Sequence, residues 1–501
     1  FNIENEEVPM RRINPKERMF KNRDEEIIYT GDRGYKLADV FENKVKLDDF
    51  VAQLSYNDLI CMFRGEGMCS PKVTPGTAAA FGGITESLRN FGIPVACCAD
   101  GPSGIRMDCG TNAFSLPNGT ALGCMFNVDL VKKLYKMTGI ELCRNKIDSL
   151  LGPGMNIHRN PLNGRNFEYV SEDPILTGKI GAAQVIGIQE AGSTATIKHV
   201  CANNQEASRR FVDSIVSERA LREIYLKGFE IAVKEGKARS VMTTYNPVNG
   251  IWTAGSYDLC TTILRKEWGF DGIVMTDWWA EANTEGEKST RENKAPMVLA
   301  QNDLYMCVSN SLENPENDNV KERFEAGEVT RSDLQRNAKN ILKFIMKSQA
   351  MLHELNLISK EDLEEINGQD DDGNISLEDI VYYYADKDSN DIIIDASNFN
   401  NKKGDSEVFG ISLNELGLYN IEITMKSEQG SLSQLPLSIY YDNALKSTIT
   451  IRGTEGEWVT ESRELGFIFG VNHYIKLYFG ASGLDIDKVV IKFMGKGKLP
   501  F

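Results

Sequence analysis

Between about residues 90 and 310 the chain alternates two hydrophobic rhythms. Short apolar or β-branched runs, IPVACCA (93–99), SLLGPGMNI (149–157), TATIKHV (194–200), ARSVMTT (238–244), DGIVMT (271–276) and APMVLA (295–300), read as strands covered on both faces. Between them lie stretches such as VDLVKKLYKMTGIELCRN and VSERALREIYLKGFEIAVKEG. Their apolar residues recur every three or four positions, which predicts amphipathic helices. Strand and helix in repeated alternation predict an α/β fold, a parallel sheet closed into a (β/α)8-type barrel over residues 51–350. Ligands in such a fold sit beyond the C-terminal ends of the strands. Polar residues occupy those ends: Asp100, His158, Lys198 with His199, Tyr245, and Asp277. Each alone reads as a loop cap or ion-pair partner, but their shared position on one rim is the pattern of a site.

The rhythm changes after residue 350. Residues 351–389 are acidic and helix-prone, and include GQDDDGNISLED, which has the outline of a calcium loop. With Gly373 in the sixth place, Gly368 takes the first ligand position and Asp379 the twelfth, where calcium loops supply an oxygen ligand and usually Glu. A solvated acidic linker is the better reading. From 390 to 501 the period becomes two, in LYNIEITMKS, PLSIYYD, STITIRGTEGEWV, YIKLYFGA and DKVVIKFMG, and predicts a C-terminal antiparallel β-sandwich. Its ITIRGTEGEW and LDIDKVVIKF runs resemble those of carbohydrate-binding modules. Trp458 fits either a sugar-stacking platform or the sandwich core.

Composition narrows the class. The chain has 501 residues, 41% of them apolar, enough for a large core and more than one domain. A net charge of -16, without a Lys/Arg cluster interleaved with aromatics, argues against a nucleic-acid partner. No run approaches the length of a membrane span, and FNIENEEVPMRRINPKERMF lacks the apolar centre of a secretory leader. The ten cysteines lie between Cys61 and Cys307 without a CxxC pair. That spacing suits reduced thiols and a cytoplasmic location. The four histidines show no ligand spacing, so neither a metal nor another cofactor is expected.

Five motifs then occur in a telling order: ADGPSGIR (99–106), NPLNGRNFEYVSEDP (160–174), IKHVCANNQEASRR (197–210), SVMTTYNPVNG (240–250) and GFDGIVMTDWWA (269–280). Together they resemble the catalytic barrel of glycoside hydrolase family 3. The resemblance implies a retaining exo-β-glucosidase in which Asp277 is the nucleophile that forms a covalent glycosyl-enzyme. It implies that Asp100 and Arg165 hold the hydroxyls of the terminal sugar, joined by Lys198 and His199. Adjacent strand residues point to opposite faces, so two neighbours reaching one ligand require an irregular backbone, such as a cis peptide. Tyr245 corresponds to a phenol beside the nucleophile, Met242 to the floor, and Trp278 to the wall where a leaving group packs. Arg209, Arg210 and Glu168 are read as ion-pair scaffolding around them.

A retaining glycosidase needs a second carboxyl group about 5 to 5.5 Å from the first, protonated to assist the leaving group. None is identified in this chain. In the family's β-glucosidases the acid comes from a separate α/β sandwich domain, and no βαβ pattern follows residue 350. The KHFPGHG-type motif, which supplies a His in the N-acetylglucosaminidase branch, is replaced here by KHVCANN. Residues 32–55, DRGYKLADVFENKVKLDDFVAQLS, resemble the connector of members with reversed domain order, and the chain opens on Phe1. The expectation is therefore a connector over residues 1–50, a C-terminal portion of a longer or split enzyme, and an acid/base group on a companion polypeptide. Two alternatives stand beside it: a non-catalytic carbohydrate-binding protein, and a β-xylosidase or β-galactosidase of the same family.

Overall fold

The computed structural model describes residues 15–497 apart from 68–69, 71, 75–76, 107–112, 359–379, 431–432 and 443. The calcium-loop-like stretch 368–379 lies outside the described residues. The chain divides into two units, with the change near residue 368.

The first unit is built on eight strands: β1 (Arg64–Gly67), β2 (Ala79–Gly82), β3 (Val95–Asp100), β4 (Ser149–Leu151), β5 (Thr194–Val200), β6 (Ser240–Thr243), β7 (Ile273–Met275) and β8 (Tyr305–Val308). Each pairs with the next through β7, and β8 pairs with β1. A parallel bridge between Met275 and Leu304 joins β7 to β8 and closes the ring. The barrel is parallel except at β2, which runs antiparallel to both β1 and β3.

Two features depart from the sequence reading. The run APMVLA is a helix, Ala295–Leu299, and not a strand; Pro296 sits in its first turn, where a missing N–H costs nothing. The strand that follows is the shorter YMCV of β8. The other departure is that β1 and β2, sequences RGEG and AAFG, carry no β-branched signal. Close approach explains the glycines of β1: a Cβ on Gly65 would lie 2.4 Å from Met306 Sδ, and one on Gly67 would lie 2.6 Å from Cys307 Sγ.

The helices anticipated around the barrel run over Val128–Arg144 and Pro174–Glu190, capped by the side chains of Asn127 and Asp173. The VSERALREIY segment instead enters through a π-helical turn at Leu221–Tyr225 before Lys227–Lys234. The described part of the segment up to residue 50 joins the barrel core through Leu37 and Phe50, both fully buried, and the Gln335 side chain brackets the Ile27 backbone with two hydrogen bonds. Seven of the eight free cysteines among the described residues are buried. Among the described residues, no helix is long and apolar enough to cross a membrane.

The second unit holds two sheets. Strands Tyr382–Tyr384, Ser406–Ser412, Asn472–Phe479, Gln434–Tyr441 and Ala444–Arg452 form one, in that order; Ile392–Asp395, Asp485–Gly495, Gly417–Lys426 and Val459–Ile468 form the other. Pairing is antiparallel except at the edge, where Tyr382–Tyr384 lies parallel to its neighbour. The period of two is plain in Gly417–Lys426, where Tyr419, Ile421, Ile423 and Met425 are buried and alternate with more exposed residues. Trp458 is 49% exposed and lies outside this core, with Lys426 Nζ 5.3 Å from its ring centroid.

Asp303 ties the lower end of β7 in place. Fully buried, it accepts from the Val274 N–H at 2.9 Å and from Asn340 Nδ2 at 2.8 Å, and pairs with Arg265. Asp303→Ala leaves these donors unpaired, and urea unfolding is expected to show a loss of about 3–5 kcal/mol. Asp303→Asn, which keeps an acceptor for Val274, is expected to lose less.

Candidate active site

Asp277 lies just beyond β7, after Thr276, and is 8% exposed. Its Oδ1 accepts from the Trp278 backbone N–H at 2.8 Å, and the Tyr245 hydroxyl donates to the same carboxylate. Burial pushes its pKa above the ordinary carboxylate value, while the Arg165 cation, the Trp278 N–H, the Lys198 cation and the Tyr245 hydroxyl pull the other way. Tyr245 is itself pushed upward, by burial first and then by Asp277, and so remains a protonated donor.

Around this carboxylate the structure gathers side chains from other strand ends. At the end of β3, Asp100 accepts from Lys198 Nζ at 2.6 Å. Burial raises its pKa, but the Lys198 charge and hydrogen bond, with Gly101 N–H and Arg165, hold it below the usual range. Lys198 and His199 are neighbours on β5, joined by a cis peptide, and the register with β6 slips between Ile197 and Val200. Both side chains reach the cluster, Lys198 toward Asp100 and His199 toward Arg165.

His199 is buried and its pKa lies well below the ordinary value, owing to burial and then to Arg165, Lys198 and Arg209. It is neutral. Arg165 Nη2 lies 3.0 Å from His199 Nε2, and a guanidinium only donates, so Nε2 carries the lone pair. The proton is on Nδ1, which faces Asn156 Oδ1 and the Tyr169 hydroxyl, each at 3.2 Å. The 3.8 Å approach of His199 Nε2 to Asp277 Oδ2 is therefore not an ion pair. Arg165, hydrogen-bonded to His199, acts on Asp277 as a nearby positive charge.

Arg165 is gripped in turn by Glu168, and Arg209 pairs with Glu206 at 2.9 Å. The Arg209 and Arg210 guanidinium carbons lie 4.7 and 4.8 Å from the Tyr245 ring centroid. Met242 and Trp278 belong to the buried apolar cluster that also contains Leu151 and Met275; the Trp278 indole N–H donates to the Ala78 carbonyl at 3.3 Å. His158, assigned by sequence to the same rim, lines a separate cleft with Thr120, Phe126, Phe167 and Leu176.

Asn156, Tyr169, Asn203 and Glu206 were not singled out from sequence. Asn156 holds the His199 backbone from both sides, accepting from its N–H and donating to its carbonyl, each at 2.9 Å. Tyr169 OH accepts from Asn203 Nδ2 at 3.0 Å. The available signal was position, since Asn156 follows β4 and Asn203 and Glu206 follow β5. The neutral amides of Asn156 and Asn203 carry no charge to mark them among the strand-end groups.

A family model described as "Glycosyl hydrolase family 3 N terminal domain" matches residues 72–344. The chain belongs to glycosyl hydrolase family 3. Among its family 3 relatives is a beta-glucosidase of Ruminococcus albus, 49% identical over 487 residues, which cover 97% of this chain and 51% of that protein. Beta-glucosidase A of Butyrivibrio fibrisolvens is 42% identical over 273 residues, 54% of this chain and 31% of that one. The solved beta-glucosidase of Paenibacillus barengoltzii shares 46% identity and a TM-score of 0.67, over 97% of this chain and 51% of that one. This family 3 chain thus spans about half the length of these full-length matches.

The raised pKa of Asp277 makes a prediction about stability. A carboxyl group whose folded pKa lies above its unfolded value destabilises the fold once pH exceeds the folded pKa, and does so no longer below the unfolded one. Asp277→Asn keeps an acceptor for Trp278 and removes the buried charge. Its melting temperature is expected to exceed that of the parent at pH 7, with the gain shrinking as the pH falls through the raised folded pKa and gone below about 4, the unfolded value.

Proposed function

We propose that this chain is the catalytic barrel of a retaining exo-β-glucosidase, with Asp277 as the nucleophile. The observation that carries the reading is a nearly closed carboxylate at a barrel strand's C-terminal end, held by one backbone N–H and one phenol, with Arg165 and Lys198 as its countercharges. These partners counter part of the cost of burial and support the ionised oxygen that would attack an anomeric carbon. Asp100 and Lys198 offer an acceptor and a donor suited to vicinal sugar hydroxyls, and the Asp100 side chain is 39% exposed. The named beta-glucosidases at 49% and 46% identity support the same substrate class.

The proton donor is assigned elsewhere. The carboxylates around Asp277 are committed: Asp100 to Lys198, Glu168 to Arg165, and Glu206 to Arg209. Asp100 is also held below the usual carboxylate range. We assign the acid/base group to polypeptide beyond these 501 residues, whether another domain or a companion chain. The relatives' roughly doubled length supports this.

Two measurements test the function. 2,4-Dinitrophenyl 2-deoxy-2-fluoro-β-D-glucoside, whose leaving group needs no proton, is expected to add one fluoroglucosyl mass to the protein, with the adduct on the Asp277 peptide. An adduct on another residue, or affinity without adduct, rejects Asp277 as nucleophile; the second outcome would mark a binding protein. Comparing nitrophenyl glucoside, xyloside and galactoside with the full-length enzyme is expected to favour the glucoside at least tenfold in kcat/KM, and a preference for either other sugar overturns the glucosidase assignment.

A further inference from the structure

The guanidinium pair on Tyr245 has no part in the sugar contacts assigned above. Arg209 and Arg210 are consecutive, yet both place their guanidinium carbon within 5 Å of the same phenol centroid, at 4.7 and 4.8 Å. Each is anchored from outside the ring. Arg209 is fixed by Glu206 at 2.9 Å, and Glu206 also accepts from Asn203 at 3.2 Å. Arg210 donates to the Trp279 carbonyl at 3.2 Å, and its own carbonyl accepts from the Trp252 indole N–H at 3.1 Å. The phenol beneath them is 6% exposed and donates to Asp277.

A single cation over an aromatic face is common; two on one buried phenol is an electronic arrangement. Each positive charge draws π density from the ring and makes the O–H a stronger donor. The ring cannot move away, because its hydroxyl is bound to Asp277 and its face is covered. Arg165 and Lys198 act on Asp277 directly as cations, and His199, 3.8 Å from Asp277, is neutral.

We propose that Arg209 and Arg210 are positioning residues that act on the nucleophile through Tyr245, polarising its hydroxyl so that Asp277 ionises at lower pH. This rests on the reading of Asp277 as the nucleophile and extends it. In the step affected, an Asp277 oxygen forms a bond to the anomeric carbon as the bond to the aglycone oxygen breaks, and the aglycone departs with that electron pair. Only the ionised carboxylate performs it. The Tyr245 proton stays on Tyr245 and its hydrogen bond loosens as the carboxylate becomes an ester.

The test is the pH dependence of inactivation by 2,4-dinitrophenyl 2-deoxy-2-fluoro-β-D-glucoside, followed by dinitrophenolate release and intact mass. Arg209→Met and Arg210→Met are each expected to move the acidic limb upward by about half a pH unit. Arg209→Lys and Arg210→Lys, which keep a charge near the ring, are expected to restore most of it. Tyr245→Phe should itself raise the limb, and in that background the Arg→Met changes should move it no further, since the hydroxyl they act through is gone. A limb unmoved by both Arg→Met changes overturns the proposal, as does a shift that persists undiminished in Tyr245→Phe. If the parent protein is not labelled at all, the nucleophile assignment fails instead, so the two failures are distinguishable. Should Arg210→Met fold poorly because Trp279 loses its donor, Arg209→Met, which leaves that turn intact, carries the test.

Discussion

An anionic carboxylate taken out of water costs several kcal/mol unless fixed dipoles and charges replace its hydration. Much of this barrel's upper face answers that requirement at Asp277. One backbone N–H and one phenol touch the carboxylate, while Arg165 and Lys198 supply countercharge without consuming an oxygen in an ion pair. Those cations have their own carboxylates in Glu168 and Asp100. The result is a layered network in which charges are balanced but the Asp277 oxygens are not fully engaged. The nucleophile role proposed for Asp277 needs that balance: enough support to be ionised, and too little to be quenched.

The network depends on convergence from separate strands. Asp100 comes from the end of β3, Lys198 and His199 from β5, Tyr245 from just beyond β6, and Asp277 from just beyond β7. A regular β5 would turn two neighbours to opposite faces. Here the ladder with β6 is interrupted over that stretch, and Asn156 takes up both backbone hydrogen-bonding groups of His199. The antiparallel β2 and the glycines of β1 close the barrel on its other side, where Met306 and Cys307 press against the β1 backbone.

The same network decides a protonation state that no isolated residue reveals. A histidine near an aspartate suggests an ion pair, yet His199 is neutral because it is buried among cations, and its Nε2 lone pair is turned to Arg165. Arg165, flanked by Glu168 and by the Tyr169 ring, hydrogen-bonds the histidine and lends its charge to the aspartate.

Much was legible in the chain itself. Apolar runs of period-free character marked β3 to β7, period-two runs marked the sandwich, and polar residues at strand ends marked Asp100, Lys198, Tyr245 and Asp277, because local patterning encodes which face is buried and where a strand stops. Short runs defeated that logic: APMVLA is equally apolar as helix or strand, and RGEG and AAFG hold their place through contacts with β8 and β3 that carry no local pattern. The tertiary structure alone turned His158 into another cleft, left Trp458 outside the sandwich core, set the proton of His199 on Nδ1, and laid two guanidinium groups on Tyr245. Each of these depends on the distance and direction between residues far apart in the chain. Composition and spacing determine which groups are available, while electrostatics at a few ångströms determines what each becomes.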